Sequence, residues 1–228
     1  IMAGGEGRRL QPLTTDIPKP MLPVGDRPLL ENTISLLVSH GFRHLFISVH
    51  YLGKQSEDYF GDGKQFGCRI TYLREKKPLG TAGALSLLPE HPPDPLLVLN
   101  GDLLTDVNLS ALMDYHMEAG CAVTQCVREY VFQIPFGVVH CKEGQVVEID
   151  EKPLQRMLIN AGIYILSPDL LDLVPVDQEF AMPELVAQAH REGHRVAAFP
   201  IHEYWVDIGR KEDLMRVQNH FGKDVDSQ

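Results

Sequence analysis

The sequence predicts an α/β fold, built on a doubly wound, mixed β-sheet in three layers, with a second lobe that is rich in β-strands. Two observations predict it. Apolar runs with β-branched residues alternate with segments of helical period up to about residue 128, which is typical of a parallel sheet with crossover helices. Three β-like segments then follow one another directly, which favours antiparallel pairing and so a mixed sheet.

The elements of the first part each have a sequence signal. In the predicted helix Leu29–Ser39 the apolar residues recur on one face, and Gly41 follows as a stop. Apolar runs predict the strands. In chain order the other predicted elements are a strand end at Ile1–Ala3, strand His44–Val49, helix Lys54–Phe60, strand Arg69–Leu73, helix Thr81–Leu88, strand Leu96–Leu99, helix Ser110–Glu118 and strand Cys121–Val127.

The second part begins with the three β segments. We predict one domain over residues 1–228, with a first lobe at about 1–128 and a second lobe with the closing helices at about 129–228. The predicted elements are strands Gly137–Cys141, Gln145–Asp150 and Leu158–Leu166, helices Pro168–Leu173 and Met182–Arg191, strands Arg195–Pro200 and Tyr204–Asp207, and helix Lys211–Phe221.

Composition excludes several classes of protein. The net charge of −10 over 228 residues argues against general binding to nucleic acid or to an anionic membrane, both of which need a basic surface. No apolar run is long enough to span a bilayer, and the start has no signal-peptide pattern. The four cysteines form no CxxC pair, so we expect free, buried thiols and a cytoplasmic location.

A glycine-rich loop opens the chain. Its small residues Ala3, Gly4, Gly5 and Gly7 would let backbone N–H groups approach an anion, as in phosphate-binding loops. Two cations stand beside it: Arg9 follows the loop, and Lys19 lies between Pro18 and Pro20, which stiffen the backbone around it. Because the loop and the cations occur together behind a strand, they indicate a phosphate site.

Two acids occupy strand ends, where ligands bind in open α/β sheets. Asp102 closes the apolar run Leu96–Leu99 through Asn100-Gly101, and Asp207 follows Trp205-Val206. Each could instead cap the helix that follows it. We interpret both as ligands of Mg²⁺, which takes one or two carboxylates when it is bound to a nucleotide. Asp106 is interpreted as a helix cap.

These motifs together resemble the sugar-1-phosphate nucleotidyltransferase family, whose pattern GGxGxRL…PKxxLP is matched by GGEGRRL and PKPMLP. The resemblance implies that Arg9 and Lys19 are catalytic and hold the triphosphate, and that Asp102 and Asp207 bind metal. It also implies a Rossmann-like nucleotide lobe, a β-rich sugar lobe, a nucleoside triphosphate and a sugar-1-phosphate as substrates, and Mg²⁺ as cofactor. The match is to the short form without a C-terminal β-helix, and is nearest to bacterial guanylyltransferases.

The resemblance extends to both substrates. Pro78 to Ala84 is similar to the family's base-contacting segment, which implies nucleotide contacts for Gly80 and Thr81. The carboxylate of Glu75 could accept hydrogen bonds from the N–H edge of guanine, which favours GTP. Glu75 could instead face only solvent. The sugar-phosphate residues implied by the resemblance are Gly137, Glu151, Lys152, Asn160 and Gly162.

Several alternatives stay open at this point. TTP, UTP or CTP could replace GTP in the same chemistry. A GT-A-type glycosyltransferase would share the nucleotide lobe, although Asn100-Gly101-Asp102 is not its DxD motif, and a non-catalytic module that binds nucleotide sugars is a further class. The sequence also leaves open whether residues or a domain precede Ile1 and whether the chain forms a homo-oligomer.

Overall fold

The computed structural model describes residues 1–222, with twelve strands and six α-helices in that range. The strands are β1 Pro23–Val24, β2 Arg27–Pro28, β3 His44–Val49, β4 Arg69–Arg74, β5 Leu96–Leu99, β6 Leu103–Thr105, β7 Val123–Gln133, β8 Val138–Lys142, β9 Gln145–Asp150, β10 Leu154–Leu166, β11 Val196–Pro200 and β12 Trp205–Asp207. The helices are α1 Leu29–Ser39, α2 Gly53–Phe60, α3 Gly80–Gly83, α4 Leu109–Ala119, α5 Met182–Arg191 and α6 Lys211–Gly222.

The central sheet is mixed, as predicted. β11 pairs in parallel with β7, and β10 pairs antiparallel with both β7 and β5. β3 and β4 form a parallel pair. Met2 joins the two groups, because it forms parallel bridges to Ser48 in β3 and to Asn100 just after β5. The segment Ile1–Ala3 therefore ends in the middle of the sheet, beside the loop that follows it.

Side chains alternate between two apolar cores on opposite faces of this sheet, so the fold has three layers. In β5, Leu99 packs into the core with Ile34 of α1, whereas Val98 packs into the other core with Leu185 of α5. This alternation follows from the pleat of a β-strand. Burying each such Leu or Ile side chain stabilises the fold by about 1.5–3 kcal/mol.

A third, smaller core lies under the glycine loop and includes Leu10, Leu22, Leu104 and Ile208. It holds together the N-terminal loop, the β6–β12 pair and α6. The predicted lobe boundary stays a prediction: β7 runs across residues 128–129, β12 pairs with β6, and residues 223–228 of the second lobe lie outside the described range. The β8–β9 hairpin and the outer parts of β7 and β10 are exposed.

Some elements differ from the sequence prediction. The short strand β6 was not expected, and the predicted helix Thr81–Leu88 is the single turn α3 followed by a 3₁₀ helix at Ala84–Leu87. Asn108 caps α4 by accepting from the Ala111 N–H, so the cap assigned to Asp106 is wrong. All four cysteines are free, but Cys141 is exposed rather than buried.

None of the helices within residues 1–222 is both long enough and apolar enough to cross a membrane.

Candidate active site

The glycine loop is shaped by close contacts. Gly7 has φ +64°, and a Cβ there would lie 3.0 Å from Thr14 Cγ2 and 3.2 Å from Lys19 Cβ. Glycine is therefore favoured at this position for both backbone conformation and space. Thr14 Oγ1 donates to the Gly7 carbonyl at 2.9 Å, which ties the loop to the turn that follows it. The loop thus stays close to Lys19.

Lys19 begins a 3₁₀ turn between two prolines and is buried. Its Nζ donates to Asp102 Oδ2 at 2.5 Å, and the two side chains are 11% and 25% exposed. The sequence placed these residues in separate motifs, one as a phosphate ligand and the other as a metal ligand. The structure brings them into direct contact.

A cavity of about 240 Å³ opens above this ion pair. It is lined by backbone of the glycine loop and by both predicted cations. The residues predicted from sequence that line this cavity are Ala3, Gly5, Gly7, Arg9, Lys19 and Asp102. Other residues that line it include Arg8, Gly101 and Gly209. The Arg8 guanidinium pairs with Glu6 at 2.6 Å and is largely exposed.

The two predicted metal ligands meet because β6 pairs with β12. Asp207 lies opposite Leu103 in this ladder, and the Ile208 N–H donates to the Asp102 carbonyl at 3.0 Å. Asp207 is exposed to solvent, although neighbouring protein removes part of the water around its carboxyl. Partial desolvation and the negative charge of Asp102 raise the pKa of the Asp207 carboxyl above its ordinary value, while Lys19 and Arg9 lower it. Two carboxylates and two cations therefore share one site.

Gly209 gives room to Arg9, a role that the sequence analysis missed. A Cβ at residue 209 would lie 3.3 Å from Arg9 Nη2 and 3.4 Å from Asp207 Oδ1. A side chain here would push against the guanidinium. The available signal was its position two residues after Asp207 in the segment Trp205-Val206-Asp207-Ile208-Gly209.

The residues present fit a divalent cation. Asp102 Oδ1 is buried and has no hydrogen-bond partner, so one carboxylate oxygen is unused beside Asp207. A cation bound together with a nucleotide needs only one or two carboxylates, because phosphate oxygens and water complete its shell. Among the described residues, no group of three or more His, Cys, Asp or Glu side chains could hold a metal.

Glu75 lies on the other side of the glycine loop and is half-buried. Its Oε2 accepts from the Leu79 N–H at 2.9 Å, and its Oε1 would lie 2.5 Å from a Cβ at Gly4. The carboxylate is thus fixed between the loop and the Pro78–Leu79 segment. One oxygen already has a backbone partner, which leaves Oε1 as the freer acceptor.

The segment predicted to contact the base is held by backbone bonds. Phe180 accepts from the N–H groups of Ala82 and Gly83, and a Cβ at Gly80 would lie 2.7 Å from the Phe180 carbonyl. Thr81 Oγ1 accepts from the Met182 N–H at 2.8 Å, so this hydroxyl caps α5. The structure therefore gives Gly80 and Thr81 a packing role, and their contact with a nucleotide stays a prediction.

Three predicted sugar-phosphate residues lie together on the exposed β-rich part. A Cβ at Gly137 would lie 3.0 Å from Glu151 Oε2, and Lys152 Nζ is 3.9 Å from Glu151 Oε1. Both charged side chains are mostly exposed, and they are outside the residues that line the cavity beside Lys19. The structure brings these three together but leaves them open to solvent.

The other two predicted sugar residues form a bulge in β10. Asn160 Oδ1 accepts from the Gly162 N–H at 2.9 Å, and its Nδ2 donates to the Tyr164 hydroxyl. Gly162 has φ +71°, and a Cβ there would lie 2.7 Å from Asn100 Nδ2. Both residues thus shape the backbone beside the end of β5, and their contact with a sugar stays a prediction.

Comparison with protein-family models gives one match, to the nucleotidyl transferase family over residues 1–224. Among curated relatives, a UTP–glucose-1-phosphate uridylyltransferase of Synechocystis sp. is 34% identical over 93% of this chain. The mannose-1-phosphate guanylyltransferase catalytic subunit beta of Xenopus tropicalis is 33% identical over 94%, and the mannose-1-phosphate guanylyltransferase of Mycobacterium tuberculosis is 32% identical over 95%. The chain spans only 60%, 62% and 62% of these relatives' lengths.

Solved structures match the same fold. A crystal structure described as a glucose-1-phosphate thymidylyltransferase of Bacillus anthracis superposes with a TM-score of 0.77 at 22% identity, covering 96% of this chain and 93% of that one. HddC of Yersinia pseudotuberculosis gives a TM-score of 0.75 at 24% identity, covering 96% and 97%. At these identities the likeness establishes the fold alone.

Proposed function

This chain belongs to the nucleotidyl transferase family, and on that basis we propose that it transfers a nucleoside monophosphate from a nucleoside triphosphate to a sugar-1-phosphate. The products are a nucleoside diphosphate sugar and pyrophosphate. The observation that carries the proposal is the cluster of Arg9, Lys19, Asp102 and Asp207 beside the glycine loop. This arrangement suits a polyphosphate, because Arg9, Lys19 and residues of the glycine loop line one cavity together with Asp102, and Asp207 lies within charge interaction of that group.

The chemistry needs charge neutralisation and alignment. An oxygen of the sugar-1-phosphate attacks the α-phosphorus, the bond from that phosphorus to the bridging oxygen of the β-phosphate breaks, and pyrophosphate leaves. No general base is required, because a phosphate monoester with a second pKa of about 6 is mostly dianionic at neutral pH. Arg9 and Lys19 neutralise charge on the triphosphate, and Lys152 holds the attacking phosphate.

Mg²⁺ is the cofactor that we propose, held by Asp102 and Asp207. When bound, it would supply positive charge to the phosphate oxygens. The protein's part is to keep the two carboxylates side by side, which the β6–β12 pairing does.

GTP and mannose-1-phosphate are the first substrates to test. Glu75 supports GTP, because its carboxylate is fixed near the glycine loop with Oε1 free to accept from the guanine N–H edge. Two of the named relatives are mannose-1-phosphate guanylyltransferases. UTP with glucose-1-phosphate is the second candidate, since one relative is a uridylyltransferase. Glu75 Oε2 also already accepts from the Leu79 N–H, so only Oε1 is left to accept from guanine.

One experiment tests the reaction and the substrates together. The protein is incubated with Mg²⁺, each of GTP, UTP, TTP and CTP, and sugar-1-phosphates that include mannose, glucose and glucosamine, and pyrophosphate and nucleotide sugar are measured. We expect the highest kcat/KM with GTP. A preference for UTP or TTP would reject the guanine assignment only. Absence of pyrophosphate with every pair would reject the proposed nucleotidyl transfer and leave a GT-A-type glycosyltransferase or a non-catalytic module that binds nucleotide sugars.

The same assay separates this reaction from that of a GT-A-type glycosyltransferase, which would consume a nucleotide sugar and release no pyrophosphate. We further propose that the reaction takes place in the cytoplasm, where free thiols such as these four cysteines remain reduced.

A further inference from the structure

Lys19 and Asp102 form a partly buried ion pair. Their side chains are 11% and 25% exposed, and Nζ lies 2.5 Å from Oδ2. A charge that loses its partner in such a setting is costly, so each group neutralises the other. The pair therefore occupies positions on both groups that substrates would need.

The two partners differ in how freely they can move. Asp102 is fixed by its backbone, because its carbonyl accepts from the Ile208 N–H and the neighbouring Gly101 N–H donates to the Met2 carbonyl at 2.8 Å. Lys19 has a four-carbon stem whose end can swing, although its backbone is held in the proline-flanked turn. When the pair opens, the ammonium moves and the carboxylate stays.

Only one of the two carboxylate oxygens of Asp102 takes part in this ion pair. Its Oδ1 is buried and has no hydrogen-bond partner, which is unusual for a carboxylate oxygen. Asp207 lies near enough for the two negative charges to interact. A divalent cation at this position would satisfy the unused oxygen, but its positive charge would lie close to the ammonium of Lys19.

We propose that Lys19 and a divalent cation compete for Asp102, so that arrival of the cation releases the Lys19 ammonium toward the phosphates of the nucleotide. This rests on the proposed function, because it takes Asp102 as a metal ligand and Lys19 as a phosphate ligand. The ion pair thus acts as an internal substitute for the cation and the nucleotide before they bind. A cation alone binds weakly, since it must displace Lys19 without offering the ammonium a new partner.

The test measures metal binding without nucleotide or turnover. Mn²⁺ is titrated into the protein and into Lys19→Met, and free Mn²⁺ is followed by electron paramagnetic resonance. We expect Lys19→Met to bind Mn²⁺ roughly tenfold more tightly, which equals about 1.4 kcal/mol. Arg8→Met is the matched control, because it removes a positive charge that borders the same cavity but pairs with Glu6 instead. Arg8→Met should change the Mn²⁺ affinity less than twofold.

Three outcomes would overturn the proposal. Unchanged or weaker Mn²⁺ binding by Lys19→Met would mean that Lys19 does not compete. Equal tightening in both variants would point to overall charge rather than to the ion pair. Tight binding that survives Asp102→Asn in the Lys19→Met background would place the cation elsewhere.

Folding is controlled separately, because Lys19→Met leaves the partly buried Asp102 carboxylate without its ion-pair partner. Circular dichroism and thermal melting check each variant, and Lys19→Gln provides an uncharged side chain that can still donate to Asp102. We expect Lys19→Gln to bind Mn²⁺ more tightly than the parent protein and less tightly than Lys19→Met. Because no substrate is present, loss of the proposed activity in the pyrophosphate assay and failure of this competition are independent results.

Discussion

Asp207 lies beside Asp102 because its strand pairs with β6, in a register that puts Asp207 opposite Leu103. The carboxylates are close enough for the charge of Asp102 to help raise the pKa of Asp207. Two acids in this relation repel each other unless cations lie nearby. Arg9, Lys19 and the proposed Mg²⁺ meet that need.

Neutralising either Asp102 or Asp207 should raise the Mg²⁺ concentration that the reaction needs. We expect Asp102→Asn and Asp207→Asn to need higher Mg²⁺ concentrations and to turn over slowly, because each loses a charged ligand oxygen. Binding of the sugar phosphate should survive. The rate is measured against Mg²⁺ concentration, with isothermal titration of the sugar-1-phosphate as the control. An unchanged Mg²⁺ dependence together with lower stability would assign both acids a structural role.

Removing either cation should slow the reaction strongly. Arg9→Ala and Lys19→Ala are each expected to lower kcat/KM by roughly two to four orders of magnitude, as seen when a group that stabilises transition-state charge is lost. Steady-state kinetics with pyrophosphate detection measures this. Arg8→Ala is the matched control. It should lower kcat/KM less than about tenfold, because the Arg8 side chain is 79% exposed and its guanidinium pairs with Glu6. Near-normal turnover by Lys19→Ala would refute its assignment.

The hydroxyl of Thr81 should stabilise the junction between the Pro78–Ala84 segment and α5. Thr81→Val keeps the shape but removes the acceptor for the Met182 N–H, so we expect a loss of about 1 kcal/mol of unfolding free energy. Thr81→Ser retains an acceptor and should recover most of it. Urea denaturation measures both. Equal stability of the Val and Ser variants would show that the hydrogen bond contributes nothing.

Acid should weaken the fold through His116. This side chain is buried, its Nδ1 lies 2.9 Å from Thr124 Oγ1, and desolvation lowers its pKa below the usual 6.5. Between those two pKa values the unfolded chain binds a proton that the folded chain does not, so stability is intact above pH 6.5 and falls as the pH drops below it.

His116→Gln should remove the loss of stability that protonation of His116 causes at acid pH. The measurement is the difference in unfolding free energy between neutral and mildly acidic buffer. His190→Gln is the control, because His190 is exposed. If both variants keep the full acid sensitivity of the parent protein, His116 is not its source.

The sequence by itself determined the α/β class, the mixed sheet and the family. These follow from local patterns. Apolar residues that recur every two or 3.6 positions identify strands and helices with one buried face. The glycine loop and the proline-flanked lysine are each recognised from a few consecutive residues. The match over residues 1–224 confirms the family resemblance first seen in the N-terminal motif. The identity of the candidate cations and acids was also available from these motifs.

Only the tertiary structure decided how those groups meet. The Lys19–Asp102 ion pair joins residues 83 positions apart, and the bond from Met182 to Thr81 spans 101. Neither has a local signal, because a contact at such a distance depends on which strands pair and in which register. The three-residue strand β6 is too short to show a period, yet its pairing with β12 brings Asp207 to Asp102. Local pattern therefore supplied the chemical groups, and long-range pairing supplied their geometry.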